Sequence, residues 1–285
     1  MLSPLLFIMY MDKCLRYICG ERTNAETFAY ADDVAVIADT AEQLQEEMER
    51  WNTGLERNGL KMNRNRTEVM FVGHRRENFY IRAGEQPLKQ VENHMYLGVH
   101  FNEGNDQEVE INKRIAKYNA NVNMLYPILK DKNVPRKCKI TIYKTILKPV
   151  LTYASECWAL TTKTKSKVQA AEMRVLRLIR GVTRRDRLRN DRIRKDLGVT
   201  SVLEEVERSK LRWYGHVKRM EEDRKPRKYL EWKPQGRRPV GRPRKRWMEG
   251  VCDGLEKRGL DMEQVEEEQM YEDRARWRQI VRSDV

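Results

Sequence analysis

The chain of 285 residues carries 57 Lys and Arg against 43 Asp and Glu, a net charge of +14, with 40% hydrophobic and 35% charged residues. It is long enough to bury a real core and reads as globular but unusually charged. The excess is local: residues 1–129 sum to −4, 130–250 to +22 and 251–285 to −4, which points to a polyanion-binding block or, in the plainer reading, to a solvated Lys/Arg-rich helical surface.

The opening run, residues 1–11, is apolar and reads as a strand or helix of a core. It is shorter than the roughly 20 residues that span a bilayer and lacks a basic leader or cleavage site. The five cysteines are scattered, with no Cys-x-x-Cys pair and no zinc-ligand spacing with the four histidines. They read as reduced thiols in an intracellular protein, nuclear or cytoplasmic and not secreted, with no membrane partner.

Residues 27–30 and 34–37 are two short β-type segments flanking Ala31, Asp32 and Asp33, a hairpin pattern without an Asn-Gly turn. A helix follows: Thr40 and Gln43 fit a capping box, Leu44, Met48, Trp51 and Leu55 share a face, and Asn58-Gly59 stops it. Further β-type segments come at 68–73, 78–82 and 96–101. Residues 1–105 therefore read as an α+β unit.

From about residue 106 the pattern is helical. Ile111, Ile115, Tyr118, Val122, Leu125 and Leu129 form one stripe. Pro135 suits the first turn of a second helix that Pro149 ends. A third helix runs through 165–181, with Val168, Ala171, Val175, Leu178 and Ile179 on one side and Gly181 as its stop. Residues 184–195 are rich in arginine, and 202–220 is an amphipathic helix bearing Trp213 and Tyr214. Residues 224–247, rich in Pro, Gly and basic residues, read as a loop or extended arm. The last stretch is helical and acidic.

Adjacent aspartates at a turn tip have two readings. Aspartate is a common turn residue. Rigid strands on either side would equally hold both carboxylates as oxygen ligands for a hard cation such as Mg²⁺, in a phosphoryl-transfer site. In the arm, Arg237, Arg238, Arg242, Arg244, Lys245 and Arg246 are interleaved with Pro239 and Pro243, so an extended strand of arginines could enter a narrow minor groove or serve as a nuclear localisation signal. Trp213, Tyr214 and Trp247 are candidates for base stacking or for hydrophobic anchors.

The string Phe28-Ala29-Tyr30-Ala31-Asp32-Asp33 resembles the central catalytic motif of reverse transcriptases of non-LTR retrotransposons. Its surroundings match in order: residues 2–7 resemble the tail of the preceding motif, 59–70 the following palm motif and 96–101 the primer grip. Residues 150–161 and the Gly-Arg-Pro to Arg-Trp string at 241–247 are similar to the region after the polymerase core, and Gly241-Arg242-Pro243 also resembles an AT-hook.

The resemblance implies an α+β architecture: a partial polymerase palm over 1–105, an antiparallel sheet with helix, then a helical thumb-like region over 106–181. A basic helical region and arm over 182–250 and an acidic C-terminal helix over 251–285 would follow. It implies RNA-templated DNA synthesis with Mg²⁺, an RNA template and a DNA primer. Asp32 and Asp33 would be catalytic metal ligands, and Tyr30 would lie near the nucleotide and primer end. Tyr96, Leu97 and Gly98 would place that end. The family usually carries a lysine where this chain has Arg66, which pairs with phosphate but holds its proton too tightly to donate it. The first catalytic aspartate motif and the fingers would lie upstream of residue 2. The resemblance therefore implies a truncated polymerase, inactive alone, with a partner chain supplying the missing palm and fingers. The alternative is a non-catalytic nucleic-acid-binding protein using the 130–250 block.

Overall fold

The computed structural model describes residues 3–19, 25–73, 78–233, 241 and 243–283. The chain divides into two compact units, Met1–Glu110 and Ile111–Val285.

The first unit is organised around one helix. Helix α1 (Ser3–Cys19) precedes strands β1 (Ala25–Tyr30) and β2 (Asp33–Ala38), and α2 (Ala41–Arg57) follows them. Thr40 caps α2 by accepting the Gln43 backbone N–H at 3.2 Å, but the Gln43 Oε1 makes no bond back to the cap, so only half of the expected capping box forms. Gly59 takes φ +69 beyond the end, as the Asn-Gly stop requires. Trp51 and Leu55 of α2 bury against Cys14 and Ile18 of α1, with Val34 and Val36 of β2 packed on them. Gly54 is needed there, because a Cβ would overlap the Ile18 side chain. Met48, one turn away, joins Val69, Ile81 and Ala83 in a second small core.

The strands form four two-stranded ladders rather than one sheet. Besides β1–β2 these are β3 (Glu68–Val69) with β6 (Lys89–Gln90), β4 (Arg82–Ala83) with β5 (Gln86–Pro87), and β7 (Asn93–Tyr96) with β8 (Val99–Asn102). The β-type segments at 68–73 and 78–82 thus shrink to two-residue strands. One reason is visible at Arg82: its backbone N–H donates to the Gln45 side chain at 2.7 Å and its carbonyl accepts from the same amide at 3.2 Å. The amide of α2 stands in for a neighbouring strand.

The second unit is helical. Its larger core gathers α3 (Gln107–Lys130), α4 (Arg136–Ile142), α5 (Lys148–Thr152), α6 (Thr162–Arg180), α7 (Asn190–Leu197) and the start of α8 (Val202–Lys218). Leu211 and Tyr214, further along α8, belong to a second core with α10 (Trp247–Glu256), α11 (Met262–Glu267) and α12 (Arg274–Arg282). Pro149 does not end a helix. A π-helical turn at Tyr143–Leu147 leads into α5 with Pro149 in its first turn. The wider turn accommodates a ring that has no N–H to give. The arm expectation also needs correcting, since Lys225–Glu231 is helix α9. Pro226 sits in its first turn, where a missing N–H costs nothing.

Candidate active site: the Asp32–Asp33 hairpin

β1 and β2 are antiparallel, in register from Ala25 opposite Ala38 to Tyr30 opposite Asp33. The last pair leaves Ala31 and Asp32 as a two-residue turn, with Ala31 at φ +53. Such tight turns need positive φ, and a left-handed alanine costs about 1–2 kcal/mol. The cost falls where the aspartates are presented. Asp32 and Asp33 are both exposed, and among the described residues neither carboxylate has an ion-pair partner. Directly opposed residues share a face, so Tyr30, 66% exposed, stands beside Asp33. Val34 points to the other face, into the α1–α2 core.

A second hairpin supports the first. The segment 96–101 is not one strand: β7 and β8 pair with Tyr96 opposite Val99, and Leu97 (φ +48) and Gly98 (φ +75) form the turn. A glycine there supplies the backbone freedom that the turn demands. The Tyr96 hydroxyl lies 3.3 Å from the Phe28 carbonyl and 3.4 Å from the Asp33 carbonyl. One O–H thus bridges both strands of the aspartate hairpin. Burial, then the nearby Asp33 charge, push the Tyr96 phenol above its ordinary pKa, so it stays a donor. Of the primer-grip candidates Tyr96 reaches the aspartate hairpin, while Leu97 and Gly98 form the turn of the second hairpin.

The other candidates lie elsewhere. Arg66 is exposed in a turn, its backbone N–H donating to the Asn63 carbonyl at 3.0 Å. Arg237, Arg238 and Arg242 fall outside the described residues. Arg244 is exposed. Lys245 pairs with Asp253 at 2.7 Å, and that hydrogen bond holds the Asp253 carboxyl below its usual range. The Arg246 backbone N–H donates to Glu249 at 3.1 Å at the start of α10. Tyr214 and Trp247 are anchors. Tyr214 is 1% exposed and bonded to Glu266, and the Trp247 indole N–H donates to the Glu156 carbonyl at 2.6 Å.

Residues 1–101 match the family described as reverse transcriptase (RNA-dependent DNA polymerase). Residues 1–101 are thus similar to a reverse transcriptase. Over 275 residues the chain is 26% identical to a transposon-derived protein of Caenorhabditis elegans, covering 91% of this chain and 96% of that one. Over 237 residues it is 27% identical to a Drosophila melanogaster protein named as an RNA-directed DNA polymerase from transposon X-element, covering 76% of this chain but 25% of that one. No solved structure gives a significant match.

For a reverse transcriptase the tip has fitting chemistry. Asp32 and Asp33 are hard oxygen donors, both exposed, and Mg²⁺ is typically held by one or two carboxylates together with substrate phosphates and water. No group of three or more His, Cys, Asp or Glu among the described residues is arranged to hold a metal. No described helix is long and apolar enough to cross a membrane.

Proposed function

We propose that the chain is the palm-to-C-terminal part of a non-LTR retrotransposon reverse transcriptase. In this reading Asp32 and Asp33 hold Mg²⁺ at the end of a DNA primer paired to an RNA template. The observation that carries it is the pair of exposed carboxylates on a strained two-residue turn, braced from behind by Tyr96. Bound Mg²⁺ would supply neutralisation of the transferring phosphate and a more acidic primer 3′-hydroxyl. The protein's own part is positional. The two strands fix the carboxylates, Tyr30 offers an exposed ring beside Asp33, and the Tyr96 hydroxyl locks the hairpin without touching either carboxylate. Arg66 would pair with phosphate as a permanent cation. No third carboxylate joins the pair among the described residues, so the pair by itself would hold primer–template without extending it.

Primer extension tests this reading, with an RNA template, a DNA primer, Mg²⁺ and all four deoxynucleotides. The expected result is salt-sensitive retention of the primer–template and no extension. Extension by the wild-type chain but not by D32N/D33N would overturn the inactivity and keep the site. The competing reading, a non-catalytic nucleic-acid-binding protein, is favoured by the +22 charge of residues 130–250.

A further inference from the structure

The second unit contains a groove of about 670 Å³ between α3, α6 and the loop after α6. Its cationic lining is Lys167, Arg174, Arg177 and Arg184, and no acidic residue lines it among those described. The floor is apolar, with Ile115, Ala170, Ala171 and Leu178.

The way the two central arginines, Arg174 and Arg177, are held sets them apart. Lys167 donates to the Asn112 side-chain carbonyl at 2.9 Å. Arg174 donates to Asn119 and to Asn123, each at 3.3 Å, and Arg177 donates to Asn190 at 2.7 Å. Asparagines 112, 119 and 123 fall at helical spacing on α3 and meet the α6 stripe side by side. An amide oxygen accepts a hydrogen bond but carries no charge, so it orients the guanidinium and leaves its charge in place. Three cations elsewhere in the same unit are instead paired with carboxylates: Arg180 with Asp196 at 3.0 Å, Arg258 with Glu207 at 2.7 Å and Lys218 with Glu266 at 2.8 Å. Arg180 is only three residues from Arg177, so the distinction follows the groove rather than the helix. Asp186, at the groove's end, is turned into its own loop, accepting the Thr183 N–H at 2.6 Å and hydroxyl at 2.9 Å.

We propose that this groove is a docking track for the sugar-phosphate backbone of a nucleic acid, with Arg174 and Arg177 as its central phosphate contacts. An oriented guanidinium has already lost rotamer freedom, so less is lost when phosphate arrives, and its planar fork matches phosphate geometry. Positions 167 to 177 span about 15 Å of helix, the length over which one strand of a B-form duplex carries about four phosphates. The small apolar floor suits a sugar edge. The inference rests on the nucleic-acid reading only for the class of polyanion, and it is independent of Asp32 and Asp33.

The test is fluorescence anisotropy of the full chain with a labelled 20-base-pair duplex and a 20-nucleotide single-stranded RNA, at several salt concentrations. N119D/N123D keeps Arg174 in place and gives it carboxylates. It should weaken binding about tenfold and lower the slope of log affinity against log salt by about 1, while raising thermal stability. R174Q/R177Q should lower the slope by about 2, and R180Q should match wild type. Unchanged affinity and slope for N119D/N123D and R174Q/R177Q would overturn the proposal. A labelled poly-glutamate 20-mer binding as tightly as either nucleic acid would reassign the groove to an acidic protein, which also overturns it. The effect of R174Q/R177Q should be the same with EDTA in place of Mg²⁺, so failure of the metal site and failure of the groove are read separately.

Discussion

The two units hold their key carboxylates in opposite ways. Glu172 of α6 is 0% exposed, and its oxygens are saturated. One accepts the Tyr143 hydroxyl at 3.0 Å and the Val202 N–H at 2.8 Å, and the other accepts Arg194 at 2.7 and 3.2 Å. Asp32 and Asp33 of the first unit are exposed, and what braces their hairpin binds backbone, not carboxylate. A saturated carboxylate fastens helices and has nothing left to offer a solute. A bare pair on a rigid turn adds little to stability and leaves its oxygens open to solvent. The same contrast separates the groove arginines, held by amides, from the carboxylate-paired cations of the second core.

The largest expected effect breaks the saturated site. E172A would leave the buried Arg194 with only the exposed Asp191, at 3.0 Å, as its anion and strand the Tyr143 and Val202 donors, costing about 3 kcal/mol. Urea unfolding should show that loss, whereas D32N/D33N should move stability by less than about 0.5 kcal/mol. Equal losses for the two would erase the contrast.

Lys210 gives a pH-dependent version. It is 4% exposed, and burial, then Lys245 and Lys165, pull its pKa down to about 8. The folded state therefore binds fewer protons than the unfolded one between pH ~8 and ~10.4. The cost is fully present below pH 8 and disappears as pH rises through that window. K210M should stabilise the protein at pH 7 by about 2–3 kcal/mol and lose most of that advantage by pH 10. A gap between variant and wild type that stays constant from pH 7 to 10 would contradict the burial penalty.

G215A probes packing in the second core. Its Cβ would lie 2.6 Å from Trp277 Cδ1, in a ring whose N–H donates to the Leu211 carbonyl at 3.0 Å. Overpacking of this kind costs about 1–3 kcal/mol, measurable as a lowered Tm. The smallest effect belongs to Y96F, which removes one shared, long hydrogen bond. About 0.5–1 kcal/mol is expected, visible as faster amide exchange at Phe28 and Asp33; unchanged exchange would mean that Tyr96 does not brace the hairpin.

Local signals made the first hairpin and α2 legible. Apolar alternation breaks at Ala31 to Asp33, and Thr40, Gln43 and Gly59 mark the ends of one helix. Proline misled twice, at Pro149 and Pro226, because its effect depends on whether the neighbouring turn needs the missing N–H. The turn at Leu97 was hidden, since leucine seldom takes positive φ. In the site, the two aspartates could be read from their own neighbourhood. Their link to Tyr96 joins residues 63 apart, and the groove joins stripes 55 apart. Spacing along the chain shows which residues share a helix face, but not which face that stripe will meet.

The most direct test of the central claim is water-proton relaxation by Mn²⁺, used in place of Mg²⁺, with the full chain bound to primer–template and a non-hydrolysable deoxynucleotide. The account predicts a relaxation enhancement that appears only with the nucleic acid and nucleotide present and is lost in D32N/D33N, while anisotropy shows the template still bound. The same enhancement in wild type and D32N/D33N would mean that the exposed aspartates hold no metal, and the hairpin would then be a turn and nothing more.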